Sequence, residues 1–520
     1  MSLKRAKVRV FVRLWWSSRK IILCRLKGQD YNSERQGMRS GIGYRNRCGA
    51  PATGATTDTG ACSMADKPKV AIVKRALPLT AEAIHAMVRD SLDLVGGLAG
   101  KFKKGGHVVI KPNLFAPYPP PVSVDRRVIA AAVSLAREAG AGRVTVIEGV
   151  SVGTLMKRVN PAHSGICMRR GYGTVEVMRM LGVKKAVEDA GGEVLGVEDA
   201  EKATVDIKGG MALHSALYPK VVLEADYFIN MPALKTHTMT MVTLSIKNLQ
   251  GLLDEKSRYH SHRDDLDQHM VDIGKIRRPD LVILDGLIGM EGMGAGEGGT
   301  PVEMGIIMAG HDPVAVDSIA SMCMGLDNPL VVGTTRIAQH DGLGCANPFL
   351  IEVAGESVAG VKKKFVLPVN FTQPLESLVT GIYPNIDLYI GGACPACWLM
   401  TAMVEASLSR VPERFSLVVG VDPRTPPKLR TDPAHTLFLG ECALGTGGAL
   451  RDIRNEMQLK GIDGFLGGCP PYEQALVKLE DMLLRSGHLD EKEMIDKALE
   501  HRNKFFDYYR ARDVSWSPEV

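Results

Sequence analysis

From residue 68 onward, short β-branched runs alternate with stretches of helical period, and this alternation constrains the fold more than any other property of the chain. KVAIVKRA precedes the amphipathic LTAEAIHAMVRDSLDLV, and HVVIKPN precedes VDRRVIAAAVSLAREAG. RVTVIEG leads, after a loop, to TVEVMRMLGVKKAVEDAG. Strand-like runs joined by helical segments of about 10–15 residues imply parallel pairing, because each helix carries the chain back across a face of the sheet. YFINMPALKTH, LVILDGLIGMEGMG, GIIMAG and the helix-like DPVAVDSIASMCMG continue the pattern. The expected fold class is α/β, with a largely parallel sheet domain covered by helices over 66–365. A weakly periodic, proline-containing linker is expected over 366–382. A second, smaller flavodoxin-like α/β domain is expected over 383–520, with cysteines at strand C-terminal ends and helices at its own C-terminus.

Charge is unevenly placed. Residues 1–63 hold 13 Lys/Arg and 3 Asp/Glu, whereas the whole 520-residue chain has a net charge of +6, so the remainder is slightly acidic. The basic segment has no uninterrupted apolar core of the signal-peptide kind. Met64 opens MADKPKVAIVKRA, a plausible start, and 1–63 reads as a disordered basic tail or an extended gene product. No later run approaches the roughly 20 apolar residues needed to cross a bilayer, so no membrane span is expected. An acidic main body argues against nucleic acid as a partner. No G-x-G-x-x-G follows the first strand, so a tightly held dinucleotide is not indicated.

The chain has 10 cysteines, too sparse for a disulfide scaffold. Four of them stand out by position. DLYIGGACPAC, HTLFLGECALG and DGFLGGCPP are strand-like runs that end in Cys394 with Cys397, in Cys442 and in Cys469. In a parallel sheet the C-terminal ends of all strands share one edge, so loops distant in sequence can bring thiolates together. Four cysteine ligands suit tetrahedral zinc or a [4Fe–4S] cluster. Zinc sites more often use two compact knuckles, and here one pair alone is close. Gly391, Gly392, Gly440, Gly445, Gly467 and Gly468 give the backbone room beside the thiols, as a bulky cluster needs. The expected metal ligands are therefore Cys394, Cys397, Cys442 and Cys469, holding a [4Fe–4S] cluster, with zinc as the alternative.

GECALGTGG followed by GCPPYEQAL resembles the cluster-binding fold of [NiFe]-hydrogenase small subunits. It is also similar to the cluster subunit of respiratory NADH:quinone oxidoreductase. The resemblance covers roughly residues 384–485 and implies the same four cysteines as cluster ligands, the CPAC spacing matching the hydrogenase form. No nickel-binding pair of C-x-x-C motifs accompanies it, so hydrogenase activity is not implied.

In the larger domain, IKPNL, NMPALKTHTMTMVTLSIKNLQGLL, ILDGLIGMEGMG and AGHDPVAVDSIA resemble domain-of-unknown-function family 362, over roughly 68–355. That resemblance implies little about a reaction. The residues say more. Lys111 and Asn113 follow HVVI directly, Lys235 and His237 come just after YFIN, and Lys247 and Asn248 are expected roughly three turns into the next helix. Three lysines and a histidine near one crevice suit a carboxylate or phosphate, and a desolvated lysine can act as base or nucleophile.

Lys111, Lys235 and His237 are thus candidate catalytic residues, with Asn113, Lys247, Asn248 and Asp317 as substrate-binding candidates. Each would otherwise be a solvated or ion-paired surface group. Asp312 ahead of Pro313 reads as a helix N-cap. GMEGMGAGEGG reads as a flexible loop, His260 and His262 as exposed, as members of the lysine crevice or as metal-binding, and Asp285, Glu291 and Asp312 as a carboxylate group for a metal.

Together these readings describe a cytoplasmic iron–sulfur redox protein. Its cluster domain would serve a larger domain that binds, and reduces or rearranges, an anionic small-molecule substrate. A redox partner protein and homo-oligomer formation are compatible with this. The rival readings are a non-redox isomerase or transferase with a structural cluster or zinc, and an electron-carrier module with no active site.

Overall fold

The computed structural model describes residues 67–150, most of 172–372, most of 384–420, 436–444, 465–466 and most of 503–515, with a few single positions between. The basic segment 1–63 and most of the expected linker lie outside the described residues.

The larger unit is built on a ten-stranded sheet. Its strands are β1 (Lys69–Lys74), β2 (His107–Pro112), β3 (Arg143–Glu148), β4 (Glu193–Gly196), β7 (Tyr227–Met231), β8 (Ala233–His237), β9 (Met241–Thr243), β10 (Leu281–Gly292), β11 (Gly299–Gly310) and β12 (Glu352–Gly355). A separate hairpin joins β5 (Lys202–Asp206) to β6 (Ser215–Pro219). The main order is β12-β1-β11-β10-β7-β2-β3-β4, with β8 on β10 and β9 on β8. The pairs β10–β7–β2–β3–β4 are parallel, as the alternation of strands and helices implies. β11 departs from that pattern and runs antiparallel to both β10 and β1. It follows β10 by a short turn, and a short turn can only return the chain antiparallel.

The sheet is buried on both faces. Val108 and Ile110 pack on one side with Ile84, Met87, Val128 and Ile129 of the helices Ala81–Leu94 and Arg126–Glu138. Val109 points to the other side, with Met270 and Ile273 of helix Leu266–Ile276. Fully burying one such aliphatic side chain contributes about 1.5–3 kcal/mol, so each strand that alternates between the two cores is fixed in register. Thr80 and Asp125 start the first two helices by accepting the N–H of Ala83 and of Arg127.

Two local expectations are corrected. The helical stretch 174–191 forms two helices, Thr174–Met180 and Val183–Asp189, because Gly182 between them takes φ +69°, outside the right-handed helical region. Much of the glycine-rich GMEGMGAGEGG is strand, since β10 extends to Gly292 and β11 begins at Gly299.

The smaller unit has a parallel sheet of β13 (Ile386–Ile390), β14 (Phe415–Val419), β15 (Thr436–Leu439) and β16 (Phe465–Leu466), side by side in chain order. Helix Pro395–Leu408 covers it through Met400, Val404 and Leu408. Among the described residues its strand order does not reverse, so the likeness to a flavodoxin lies in the parallel, helix-covered sheet. A final helix over 503–510 lies against the larger unit, where Phe505, Phe506 and Tyr509 pack with Tyr118, Val122 and Met290.

Candidate functional site

Three neighbouring parallel strands deliver polar side chains to one edge. β2 ends in Lys111 and Pro112, β3 in Glu148, and β7 in Asn230 and Met231, with Lys111 in register with Asn230. This is the C-terminal edge, where open α/β sheets bind ligands. Lys111 Nζ donates to Glu148 Oε2 at 2.8 Å, to Asn248 Oδ1 at 3.1 Å and to the Pro112 carbonyl at 3.1 Å. Glu148 also accepts the N–H of Leu114 at 3.1 Å and of Gly149 at 2.8 Å. The side chains of this pair are 1% and 3% exposed, so the ion pair survives on the strength of those added hydrogen bonds. Burial pushes the Lys111 ammonium towards losing its proton, and the adjacent Glu148 carboxylate opposes that.

An asparagine relay links this pair to the second lysine. Asn248 Oδ1 also accepts from Asn113 Nδ2 at 2.9 Å, and Asn248 Nδ2 donates to Asn230 Oδ1 at 2.7 Å. Asn113 Oδ1 in turn accepts from Lys235 Nζ at 2.6 Å, and the Val122 carbonyl accepts from the same ammonium at 2.7 Å. Lys235 is fully buried, with the ring of Phe115 5.8 Å away. It lies within β8, just after β7, opposite Met290 of β10. Pro232 interrupts β7, but the chain resumes pairing at once and carries Lys235 and His237 along a strand. His237 accepts the backbone N–H of Met239 on Nδ1 at 3.0 Å, which leaves the ring proton on Nε2.

Lys247 and Asn248 sit in the first turn of the four-residue helix Ser245–Asn248, not three turns into a longer one. Asp317 explains this start. Its carboxylate accepts the Ser245 N–H at 2.7 Å, the Ser245 hydroxyl at 2.6 Å and the Ile246 N–H at 3.0 Å, so a side chain from another helix anchors the turn. Burial raises the Asp317 carboxyl to about 7. In this arrangement Asp317 positions Lys247 and Asn248. Lys247 Nζ donates to Gln250 Oε1 at 2.5 Å, and Gln250 Nε2 donates to Ser261 Oγ at 2.7 Å.

The three lysines sense one another. Burial, reinforced by the charges of Lys247 and Lys111, pushes Lys235 down to about 7. Burial and Lys111 push Lys247 down to about 8. Arg258 adds a fourth buried cation, its Nη1 donating to the carbonyl of Gly149 at 2.9 Å. Such a site can hold an anion and can exchange a proton near neutral pH.

Glu148, Asn230 and Gly251 are members of the site that the sequence reading did not single out. Glu148 had a signal, since it ends the strand-like RVTVIE as Lys111 follows HVVI. Gly251 is needed by close approach: a Cβ there would lie 2.2 Å from Glu148 Oε1 and 2.8 Å from Lys111 Nζ.

The other candidates are dispersed. Asp285 accepts the N–H of Asp125 and Leu287, Glu291 that of Val366, and Asp312 caps helix Pro313–Cys323 as its sequence implies. Among the described residues no group of three or more His, Cys, Asp or Glu side chains is arranged to hold a metal. Cys397 lies in the helix after β13, buried in the apolar core, and Cys442 lies exposed in the turn after β15. Both follow the C-terminal ends of parallel strands. Cys394, Cys469, His260 and His262 are outside the described residues.

Residues 108–322, from β2 to the helix that carries Asp317, match the family described as "Domain of unknown function (DUF362)". The chain is 28% identical over 281 residues to a thylakoid-associated protein of Synechocystis sp., a stretch covering 52% of this chain and 78% of that relative. Among solved structures it is similar to the lactate racemase apoprotein from Thermoanaerobacterium thermosaccharolyticum, at a TM-score of 0.32 and 12% identity, over 79% of this chain and 80% of that one. A Thermotoga maritima protein gives a TM-score of 0.33 and 10% identity, over 78% and 84%. At these scores neither structural likeness bears on function. No described helix is long and apolar enough to cross a membrane.

Proposed function

We propose that the larger unit binds an anionic small molecule, a carboxylate or phosphate, at the edge formed by β2, β3 and β8, and that Lys235 exchanges a proton with it. The observation that carries this is the burial of Lys111, Lys235 and Lys247 within repulsive reach of one another. Mutually repelling buried ammonium groups cost free energy, and a bound anion offsets that cost. Lys235, near half-protonated at neutral pH, has the poise of a general acid or base. His237, on the same strand, is a second candidate for proton exchange through Nε2. Asn113 and Asn248 orient the lysines through the relay.

The smaller unit, in this reading, holds a [4Fe–4S] cluster on Cys394, Cys397, Cys442 and Cys469 and supplies single electrons. Support comes from the two described thiols, which leave the ends of β13 and β15 on one edge of a parallel sheet.

The test of the first part is calorimetric titration of inorganic phosphate and of malonate into the full-length protein at pH 8, in two buffers of different ionisation enthalpy. Binding should take up protons, because the anion raises the lysine pKa values, and Lys235→Met should reduce the uptake to the share that Lys247 contributes. Absence of binding by either anion, or uptake that the substitution leaves undiminished, overturns the reading. Anaerobic purification with iron and sulfide analysis tests the second part; a colourless protein with stoichiometric zinc refutes it.

A further inference from the structure

We propose that the C-terminal segment 503–513 is an intramolecular strap whose residue Tyr509 positions the loop that completes the Lys235 site. This inference rests on the anion-site reading and adds a positioning element that is distant from the site in sequence.

The loop between β2 and helix Arg126–Glu138 supplies two of the acceptors for the Lys235 ammonium, Asn113 Oδ1 and the Val122 carbonyl. It also supplies the Leu114 N–H to Glu148. Four prolines limit the bonds that the loop can make to itself. Pro117, Pro119, Pro120 and Pro121 have no N–H to donate. Its internal ties include Leu114 bridged to Ser123, Tyr118 N–H to the Ala116 carbonyl at 2.7 Å, and Val124 N–H to the Asn113 carbonyl at 2.9 Å.

The strap covers the outer side of that loop. Phe505 packs edge-on against Tyr118, with ring centres 6.1 Å apart, and Tyr509 is 1% exposed in the same cluster as Ala116, Val122 and Met290. Ion pairs fix both sides of the contact. Arg126 Nη2 donates to Asp513 Oδ2 at 2.7 Å, and Arg512 Nε donates to Glu303 Oε1 at 2.7 Å. Tyr509 donates its hydroxyl to Asp513 at 3.3 Å and lies under the Arg127 guanidinium, 5.9 Å from ring to cation.

The same hairpin receives the other end of the smaller unit. Val366 exchanges hydrogen bonds with the β10 residues Glu291 and Gly292, at 2.8 Å and 2.7 Å. The chain therefore leaves from and returns to the hairpin of β10 and β11, which pairs with β8 at Lys235. Release of the strap would free the 114–123 loop, and with it the Val122 carbonyl and the Leu114 N–H, without substituting any residue of the anion site.

The experiment uses full-length protein and two readouts: hydrogen–deuterium exchange of peptides covering 113–124, and calorimetric binding of inorganic phosphate. Tyr509→Ala should speed exchange in that loop on the order of 100-fold, since removing a large buried side chain shifts local opening by that scale. It should also weaken phosphate binding by about tenfold or more. Tyr509→Phe keeps the packing and should preserve both. A second pair guards against misfolding of the alanine variant: Arg512→Glu should release the loop, and adding Glu303→Arg should restore it. Loop exchange that stays unchanged when the amides of 503–513 become labile overturns the proposal. If the wild-type protein binds no phosphate, the anion-site reading fails, while the exchange measurements still decide the strap.

Discussion

Lys111 and Glu148, 37 residues apart in sequence, end adjacent parallel strands and meet at 2.8 Å with both side chains almost wholly out of solvent. The pair is the fixed point of the candidate site, because Asn248 and the Leu114 N–H are both hydrogen-bonded to it. A buried pair of this kind is specific in its consequences: losing one member leaves the other charge stranded.

Glu148→Gln should therefore destabilise the fold by about 3–5 kcal/mol in chemical denaturation. Lys111→Met combined with Glu148→Leu should cost clearly less than the two single changes added together. A double variant as unstable as that sum would mean that the two residues do not act as a pair.

Gly251→Ala introduces one methyl group where no volume exists, against Glu148 Oε1 and Lys111 Nζ. We expect a loss of about 3 kcal/mol or more, comparable to breaking the pair itself. Gly209→Ala is a useful contrast, because its added Cβ meets nothing within 4 Å and its φ of +71° is its sole source of strain. The two melting temperatures should differ, with the Gly251 variant the lower.

Stability should depend on pH through the lysines with a definite sign. Lys235 and Lys247 titrate at about 7 and about 8 in the folded chain, below the value of about 10.4 for an unfolded lysine. Between those values the unfolded chain binds more protons, so stability rises with pH, by up to about 1.4 kcal/mol per unit for each lysine. Urea denaturation at pH 7, 8 and 9 should show the rise. Lys235→Met should flatten it, and saturating phosphate should flatten it as well, by raising the folded pKa values. The buried Asp285 and Asp317 carboxyls, raised to about 7, act oppositely and at lower pH, so their contribution ends where that of the lysines begins.

Asp317→Ala removes the acceptor for the Ser245 N–H and hydroxyl and the Ile246 N–H. Leaving the two backbone donors unsatisfied should cost about 1–3 kcal/mol, while the Ser245 hydroxyl keeps the Pro313 carbonyl at 2.8 Å. The helix bearing Lys247 and Asn248 should shift with it, so phosphate affinity falls although Asp317 would itself repel an anion. Tighter phosphate binding in Asp317→Ala would instead mark that carboxylate as an unfavourable neighbour of the ligand and not as an anchor.

The parallel core of the larger unit was legible because a strand buried on both faces is written as an apolar run such as HVVI or RVTVI, and the helices between carry their own caps at Thr80, Asp125 and Asp312. The position of Lys111 at a strand end could be read in the same way. The strand β8 was not legible, because Pro232 looks like a terminator when neighbouring partners are unknown. Nor was the short helix at Ser245, whose first turn is held by Asp317, 72 residues away.

Local sequence thus determined the strands and helices of the parallel core, which ends of those strands share an edge, and that several lysines lie near those ends. Tertiary structure alone decided that Glu148 neutralises Lys111, that Asn113 links to Lys235, and that the C-terminal helix returns to the loop beside them. The reason is physical: periodicity and capping act over a few residues and are written in local order. The pairing and desolvation that tune a charge depend on which chain segments pack together, and no local pattern records that.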